Sequence, residues 1–216
     1  MTAVRTLLAC GALAGPVFVI VGFGQAFTRQ GFDVTRHPLS VLSNGDLGWI
    51  QVANFLVSGL LVVAGAVGMR QVLRPGRAAT WGPLLVAGYG VGLVAAAIFR
   101  ADPMDGFPPG TPPGPPAAIS TFGLLHFVAA AIAFFSLIAA CFVFARRFGA
   151  LGERGWAAYS AATGLIFFAA FAGNAAAGGQ PALSVAFAVA VVLAWAWLSA
   201  TALRLMGEAA SRQTLA

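Results

Sequence analysis

The chain has 216 residues, of which 60% are hydrophobic and only 8% charged, against about 25% charged in an average soluble domain. So little polar surface cannot cover so apolar a core in water, which excludes a water-soluble globular fold. The net charge of +6 does not mark a nucleic-acid-binding face either: the twelve basic residues are all arginines, placed in short gaps between apolar runs, and that pattern belongs to membrane topology.

A bilayer-spanning helix needs about 20 mostly apolar residues. Six segments qualify: Thr6–Phe27, Trp49–Met69, Trp81–Phe99, Ala118–Phe144, Trp156–Gly173 and Ala182–Leu203. The runs are too long for strands and lack period-2 alternation. They predict an all-α fold, a polytopic bundle of six transmembrane helices forming one domain over residues 1–216.

In the first segment, Leu7-Leu8-Ala9-Cys10 faintly resembles a lipoprotein cleavage site. Arg5 lies too close to Cys10 for a signal-peptide apolar region, and the run continues well beyond it, so the segment reads as an uncleaved helix. Cys10 and Cys141 both fall inside apolar runs and read as small buried hydrophobes. Gly11/Gly15 here and Gly88/Gly92 in the third segment have the spacing that lets helix backbones approach closely.

The connection Thr28–Gly48 carries Phe32, Pro38, Leu39, Val41 and Leu42, which need burial, so it is not a flexible linker. Pro38 is suited to open a short helix that Asn44-Gly45 ends. Leu39 and Leu42 would share one side of that helix, with Ser40 and Ser43 on another. It would hold Asp33, Arg36, His37 and Ser40 near the bundle mouth, and Asp46 is placed to cap the second transmembrane helix. Trp49, Trp81 and Trp156 begin helices two, three and five, where an amphipathic ring suits the membrane interface.

The connection Arg100–Pro116 is dense in proline, which favours an extended polyproline-like chain without internal hydrogen bonds. A plain spacer would not need Phe107 or the Asp102/Asp105 pair. His126 lies about two turns into the fourth helix among Leu124, Leu125, Phe127 and Val128. Ionisable residues at that depth are costly and face the bundle interior; the acids of the Arg100–Pro116 loop and the His37 segment are its expected partners. Gln25, Asn54, Tyr89, Tyr159 and Asn174 are polar but form no evident relay. Pro181 suits the first turn of the sixth helix.

Arginine placement sets the orientation. With the N-terminus inside, Arg5, Arg70, Arg74, Arg77, Arg146, Arg147, Arg154, Arg204 and Arg212 are cytoplasmic, and only Arg29, Arg36 and Arg100 are outside. This predicts both termini inside. Asp33, Asp46, Asp102 and Asp105 then all lie outside, and Glu153 and Glu208 inside.

Taken together, Phe32-Asp33-x-x-Arg36-His37-Pro38-Leu39-Ser40, then Gly48-Trp49-Ile50-Gln51 with Asn54-Phe55, then Phe99-x-x-Asp102 leading to Gly106-Phe107-Pro108-x-Gly110, and finally His126, resemble the bacterial six-helix membrane family called domain of unknown function 998. The resemblance covers nearly the whole chain. It implies the six-helix topology and singles out these residues without supplying a reaction.

Three classes of function fit this pattern. The first is structural or binding: the outer polar residues tie loops together, or hold a lipid or small molecule, with Arg36, Arg100, Asp105 and Asn54 as candidate binding residues. In its structural form, Asp33 or Asp102 pairs with Arg36 or Arg100, His126 donates to a loop carbonyl, and Ser40 caps the short helix. The second is an outer-face hydrolase or transferase, in which Ser40 is the nucleophile, His37 or His126 its base, and Asp33 or Asp102 the orienting group. No Gly-x-Ser-x-Gly elbow supports it. A metal version would place zinc on His37, His126 and Asp102; no cofactor motif is otherwise present. The third is a transporter, disfavoured because helices two, three, five and six carry no ionisable group in their central portions. The first class is the leading reading, in a multi-pass plasma-membrane protein whose partner is the lipid bilayer.

Overall fold

The computed structural model describes residues 2–76, 78–176 and 179–214. Arg77, counted above toward the orientation, lies outside the described residues, as does the side chain of Arg212. Six long helices follow one another: α1 (Thr2–Thr28), α2 (Gly48–Leu73), α3 (Trp81–Ile98), α4 (Thr121–Ala150), α5 (Arg154–Ala176) and α6 (Pro181–Thr214). Each is long and apolar enough to cross a membrane. A short 3-10 helix, Leu39–Ser43, interrupts the α1–α2 connection.

The helix ends depart from the apolar segments for identifiable reasons. Apolar runs stop at the first arginine, but a helix can continue where its charges find partners. Thus α4 continues past Phe144 to Ala150 and α6 past Leu203 to Thr214. Arg147 of α4 grips Glu208 of α6 through two bonds, Nη1 to Oε1 at 3.2 Å and Nη2 to Oε2 at 2.6 Å. Arg204 of α6 reaches Glu153, just before α5, at 2.7 Å. At its other end α4 starts at Thr121, later than Ala118, because Ser120 with extended backbone is the cap and its Oγ accepts the Gly123 N–H. Pro181 opens α6. Asp46 does not cap α2: Leu47 occupies that position without a side-chain cap bond, and Asp46 is exposed. A backbone turn from Gly45 O to Gly48 N–H already starts the helix there.

Each helix packs against the next, and α6 returns to α1, so the six close into a ring. Small residues allow the approach. A Cβ on Gly11 would lie 3.1 Å from the Gly65 Cα, and one on Gly15 only 2.9 Å from the Trp195 carbonyl oxygen. Gly92 likewise meets Ala133 of α4. Both glycine pairs read from the sequence therefore sit at helix crossings. Among the buried rings, Phe18 stacks on Trp195 at 4.8 Å, and Tyr89 packs against the same indole at 5.2 Å. The outside is as apolar as the inside: Ile20 is 71% exposed and Val91 59%, a surface suited to lipid and not to water.

Candidate functional site

The connections 29–47 and 99–120 come together over one end of the ring and form a cap. It is built from the Asp33–His37 turn upward. The Asp33 carboxylate accepts the Thr35 amide at 2.8 Å and the Thr35 hydroxyl at 2.7 Å, and these bonds hold the Asp33 carboxyl below the usual carboxylate range. The Asp33 carbonyl accepts from the amides of Arg36 and His37. The turn thereby aims His37 inward, and its ring is buried.

Both His37 nitrogens are engaged. The Asp33 N–H donates to Nδ1 at 3.0 Å, and Nε2 lies 3.0 Å from the Asp105 carbonyl. An amide can only donate and a carbonyl only accept, so the hydrogen is on Nε2. His37 thus bridges the two loops through main-chain groups. Beside it, Arg36 makes a two-point bond to Asp105, Nε to Oδ2 at 2.9 Å and Nη2 to Oδ1 at 2.6 Å. That guanidinium, helped by the Gly114 amide at 3.0 Å, holds the Asp105 carboxyl below its usual range. The Arg36 partner is therefore Asp105, and neither Asp33 nor Asp102.

The proline-rich loop is not an extended spacer. Asp105 N–H bonds Gly114 O at 2.8 Å, Gly106 N–H bonds Pro112 O at 3.2 Å, and Met104 and Phe107 exchange amide–carbonyl bonds. Gly106, Gly110 and Gly114 take positive φ angles of 89°, 95° and 88°, which fold the prolines into a compact knot. The knot presents Phe107, 1% exposed, to an aromatic and cationic socket. Phe32 meets it edge-on at 5.3 Å, His37 lies at 5.7 Å, and the Arg29 guanidinium sits 4.8 Å from its ring centre. Arg29 also donates to the carbonyls of Leu42 at 2.5 Å and Asn44 at 2.6 Å, and Asn44 Nδ2 reaches Ala101 O at 3.0 Å. Arginine 29 was legible only as a topology signal; its role depends on where the 39–43 helix ends.

The remaining candidates disperse. Asp102 accepts the Ser120 amide at 2.9 Å and hydroxyl at 2.5 Å, so it secures the start of α4. His126 is buried and its Nδ1 donates to Phe99 O at 2.9 Å, tying α4 to the end of α3. Its partner is a main-chain carbonyl and neither a loop acid nor His37. Ser40 is half-buried and does not cap the short helix, whose cap position is Pro38; the Ser40 carbonyl accepts from the Ser43 hydroxyl at 2.8 Å. Ser43 is fully buried with Leu39 and Leu42 and does not face away from them. Arg100 is exposed. Among the described residues, no three His, Cys, Asp or Glu side chains gather closely enough to hold a metal ion, so His37, His126 and Asp102 do not form the zinc set that their residue types allow.

Below the cap lies a polar seam inside the membrane helices. Gln25 Nε2 donates to Gln51 Oε1 at 2.9 Å, Asn54 Nδ2 to the same oxygen at 3.3 Å and to Phe18 O at 3.2 Å, and Ser58 Oγ to Asn54 Oδ1 at 3.3 Å. Gln25 and Asn54, which show no evident relay in the sequence, are therefore linked through Gln51. Leu39 of the cap and Asn54 both approach Gly22, where a Cβ would lie 3.5 Å from the Leu39 Cδ1 and 3.7 Å from the Asn54 Nδ2. Two buried amide atoms, Gln25 Oε1 and Gln51 Nε2, have no partner among the described residues.

A family model described as "Protein of unknown function (DUF998)" matches residues 12–204. The chain belongs to that family. No curated protein and no solved structure matches it. The stretch matched to DUF998 contains both cap loops, the Gln25–Ser58 seam and His126. The six apolar helices are those of a membrane protein, and the family description indicates no activity.

Proposed function

We propose that this DUF998 protein is a multi-pass protein of the plasma membrane that binds a small neutral polar molecule, or the polar head of a lipid, at the glutamine seam beneath an outward-facing cap. The observation that carries the reading is the pair of unpartnered amide atoms. Gln25 is 6% exposed and Gln51 0%, and Gln25 Oε1 and Gln51 Nε2 offer an acceptor and a donor in an apolar setting. Leaving such a group unpaired costs about 1–3 kcal/mol; a hydroxyl or amide that meets either atom recovers part of that. The cap supports binding over hydrolysis or group transfer. A nucleophilic Ser40 needs a base, and His37 has both nitrogens engaged with main-chain groups.

The ligand test is extraction of small molecules and lipids from the purified protein, quantified by mass spectrometry. A hydroxyl- or amide-bearing compound near one per chain is expected with the wild type and Arg100→Ala, and its loss with Gln25→Leu and Gln51→Leu. If the wild type carries no such compound, the seam is a packing feature and the binding reading fails.

Orientation rests on the arginine bias, with both termini cytoplasmic. In a background with Cys10→Ala and Cys141→Ala, Thr111→Cys should react with an impermeant maleimide on intact cells, and Arg74→Cys only after permeabilisation. The opposite pattern would invert the protein.

A further inference from the structure

The end of the bundle opposite the cap holds a groove of about 620 Å³ where the start of α3 meets the end of α4, lined by Ala78, Trp81, Val143, Arg146, Arg147 and Ala150. Its two arginines differ. Arg147 is buried, and its charge is taken up by Glu208. Arg146, the next residue, is exposed and forms no ion pair among the described residues. The glutamates at this end are both committed, Glu208 to Arg147 and Glu153 to Arg204, so among the described residues no free carboxylate side chain offsets Arg146. Across the groove Trp81 stands 63% exposed at the first position of α3, the place of an interfacial anchor. The turn that carries Ala78 is held in place by Arg70, whose Nη1 donates to Ala79 O at 3.4 Å.

From this polar mouth two apolar tracks lead toward the cap. On α3, Leu84 and Val91 follow Trp81 at helical spacing; on α4, Phe142 and Phe135 precede Arg146 at the same kind of interval. All four are exposed, from 37% at Phe142 to 59% at Val91. A cation and an indole ring above a divided apolar face complement a phosphate group above acyl chains. We infer that this groove holds an anionic phospholipid of the inner leaflet, with its phosphate on Arg146, its glycerol region against Trp81, and its chains along α3 and α4.

The site is separate from the glutamine seam, and only its assignment to the inner leaflet rests on the orientation proposed above. The test uses the full chain in neutral detergent, titrated with short-chain phosphatidylglycerol and, in parallel, phosphatidylcholine, glycerol phosphate and inorganic phosphate, with retained lipid read by native mass spectrometry. Phosphatidylglycerol should bind more tightly than phosphatidylcholine. Arg146→Ala should weaken it about fivefold, Arg146→Lys should restore most of the loss, and Arg100→Ala, at the cap end, should change nothing. Trp81→Ala should weaken both lipids alike. Equal binding of the two lipids, indifference to Arg146→Ala, or an equal loss with Arg100→Ala would overturn the proposal. So would displacement of the lipid by glycerol phosphate or inorganic phosphate at matched concentration, since the groove would then be a simple anion site. Because the preference is read in detergent, an inverted labelling pattern would move the site to the other leaflet and leave the binding result standing.

Discussion

Phe107→Ala should cost about 3–5 kcal/mol, the range for deleting a buried aromatic ring, and the loss should fall on the cap. The ring is the one apolar group of the proline-rich knot that is fully enclosed, with Phe32 edge-on, His37 beside it and Arg29 against its face. Removing it deprives Arg29 of a cation–π partner, worth about 0.5–2 kcal/mol, and leaves the two loops held together by the polar contacts of His37, Arg36 and Asn44. The measurement is hydrogen exchange. The amides of Asp105 and Gly106, bonded to Gly114 and Pro112, should lose protection, as should Val41 in the 39–43 helix and Asn44, which caps its end. Amides of α3 and α5 should not, because local opening of a loop unit leaves the helix packing intact. Phe122→Ala, at a ring 56% exposed to the apolar exterior, is the control and should leave the cap protected. Unchanged exchange in Phe107→Ala would show that the hydrogen bonds of the knot suffice without its ring.

At the opposite end, Arg147→Ala should lower resistance to unfolding by about 3 kcal/mol, the low end of the 3–5 kcal/mol range for breaking a buried ion pair from one side. The low end applies because the Glu208 side chain keeps 15% exposure and can regain some water. Most of the cost comes from the stranded carboxylate, so the paired replacement Arg147→Met with Glu208→Leu should recover most of it. Glu208→Leu alone should also be destabilising, since it strands the guanidinium. The check is a double-mutant cycle on unfolding in a denaturing detergent; additive single-mutant effects would mean that the α4–α6 contact does not depend on the pair. The same pair helps α4 and α6 outrun their apolar segments: Arg147 and Glu208 both lie in the added turns, and each has its partner on the other helix.

The structural interpretation of the cap residues changes with their partners. A histidine and several acids near a serine suggest a reacting centre when only their order is known. Once Asp33 is bonded to Thr35, His37 to two main-chain groups, Asp102 to Ser120 and His126 to Phe99, the same residues read as fasteners, and the two buried ones, His37 and His126, have their polar atoms met by main-chain groups. The catalytic assignments for Ser40 and its neighbours would need a base that moves free of these bonds.

The sequence by itself determined the six helices, the short helix between Pro38 and Asn44, and the small-residue helix crossings at Gly11, Gly15 and Gly92. Each of these depends on local physics: apolar length against bilayer thickness, proline and asparagine–glycine turn chemistry, and the absence of a side chain where backbones approach. Only the tertiary structure decided that Arg36 takes Asp105 across 69 positions, that the prolines fold around three left-handed glycines instead of extending, and that Gln25 and Asn54 share the Gln51 oxygen. Such pairings depend on the path of a loop and the rotation of one helix against another. Four aspartates and three arginines in neighbouring loops allow many matches of similar Coulomb energy; the buried position of Phe107 fixes the geometry that selects one of them.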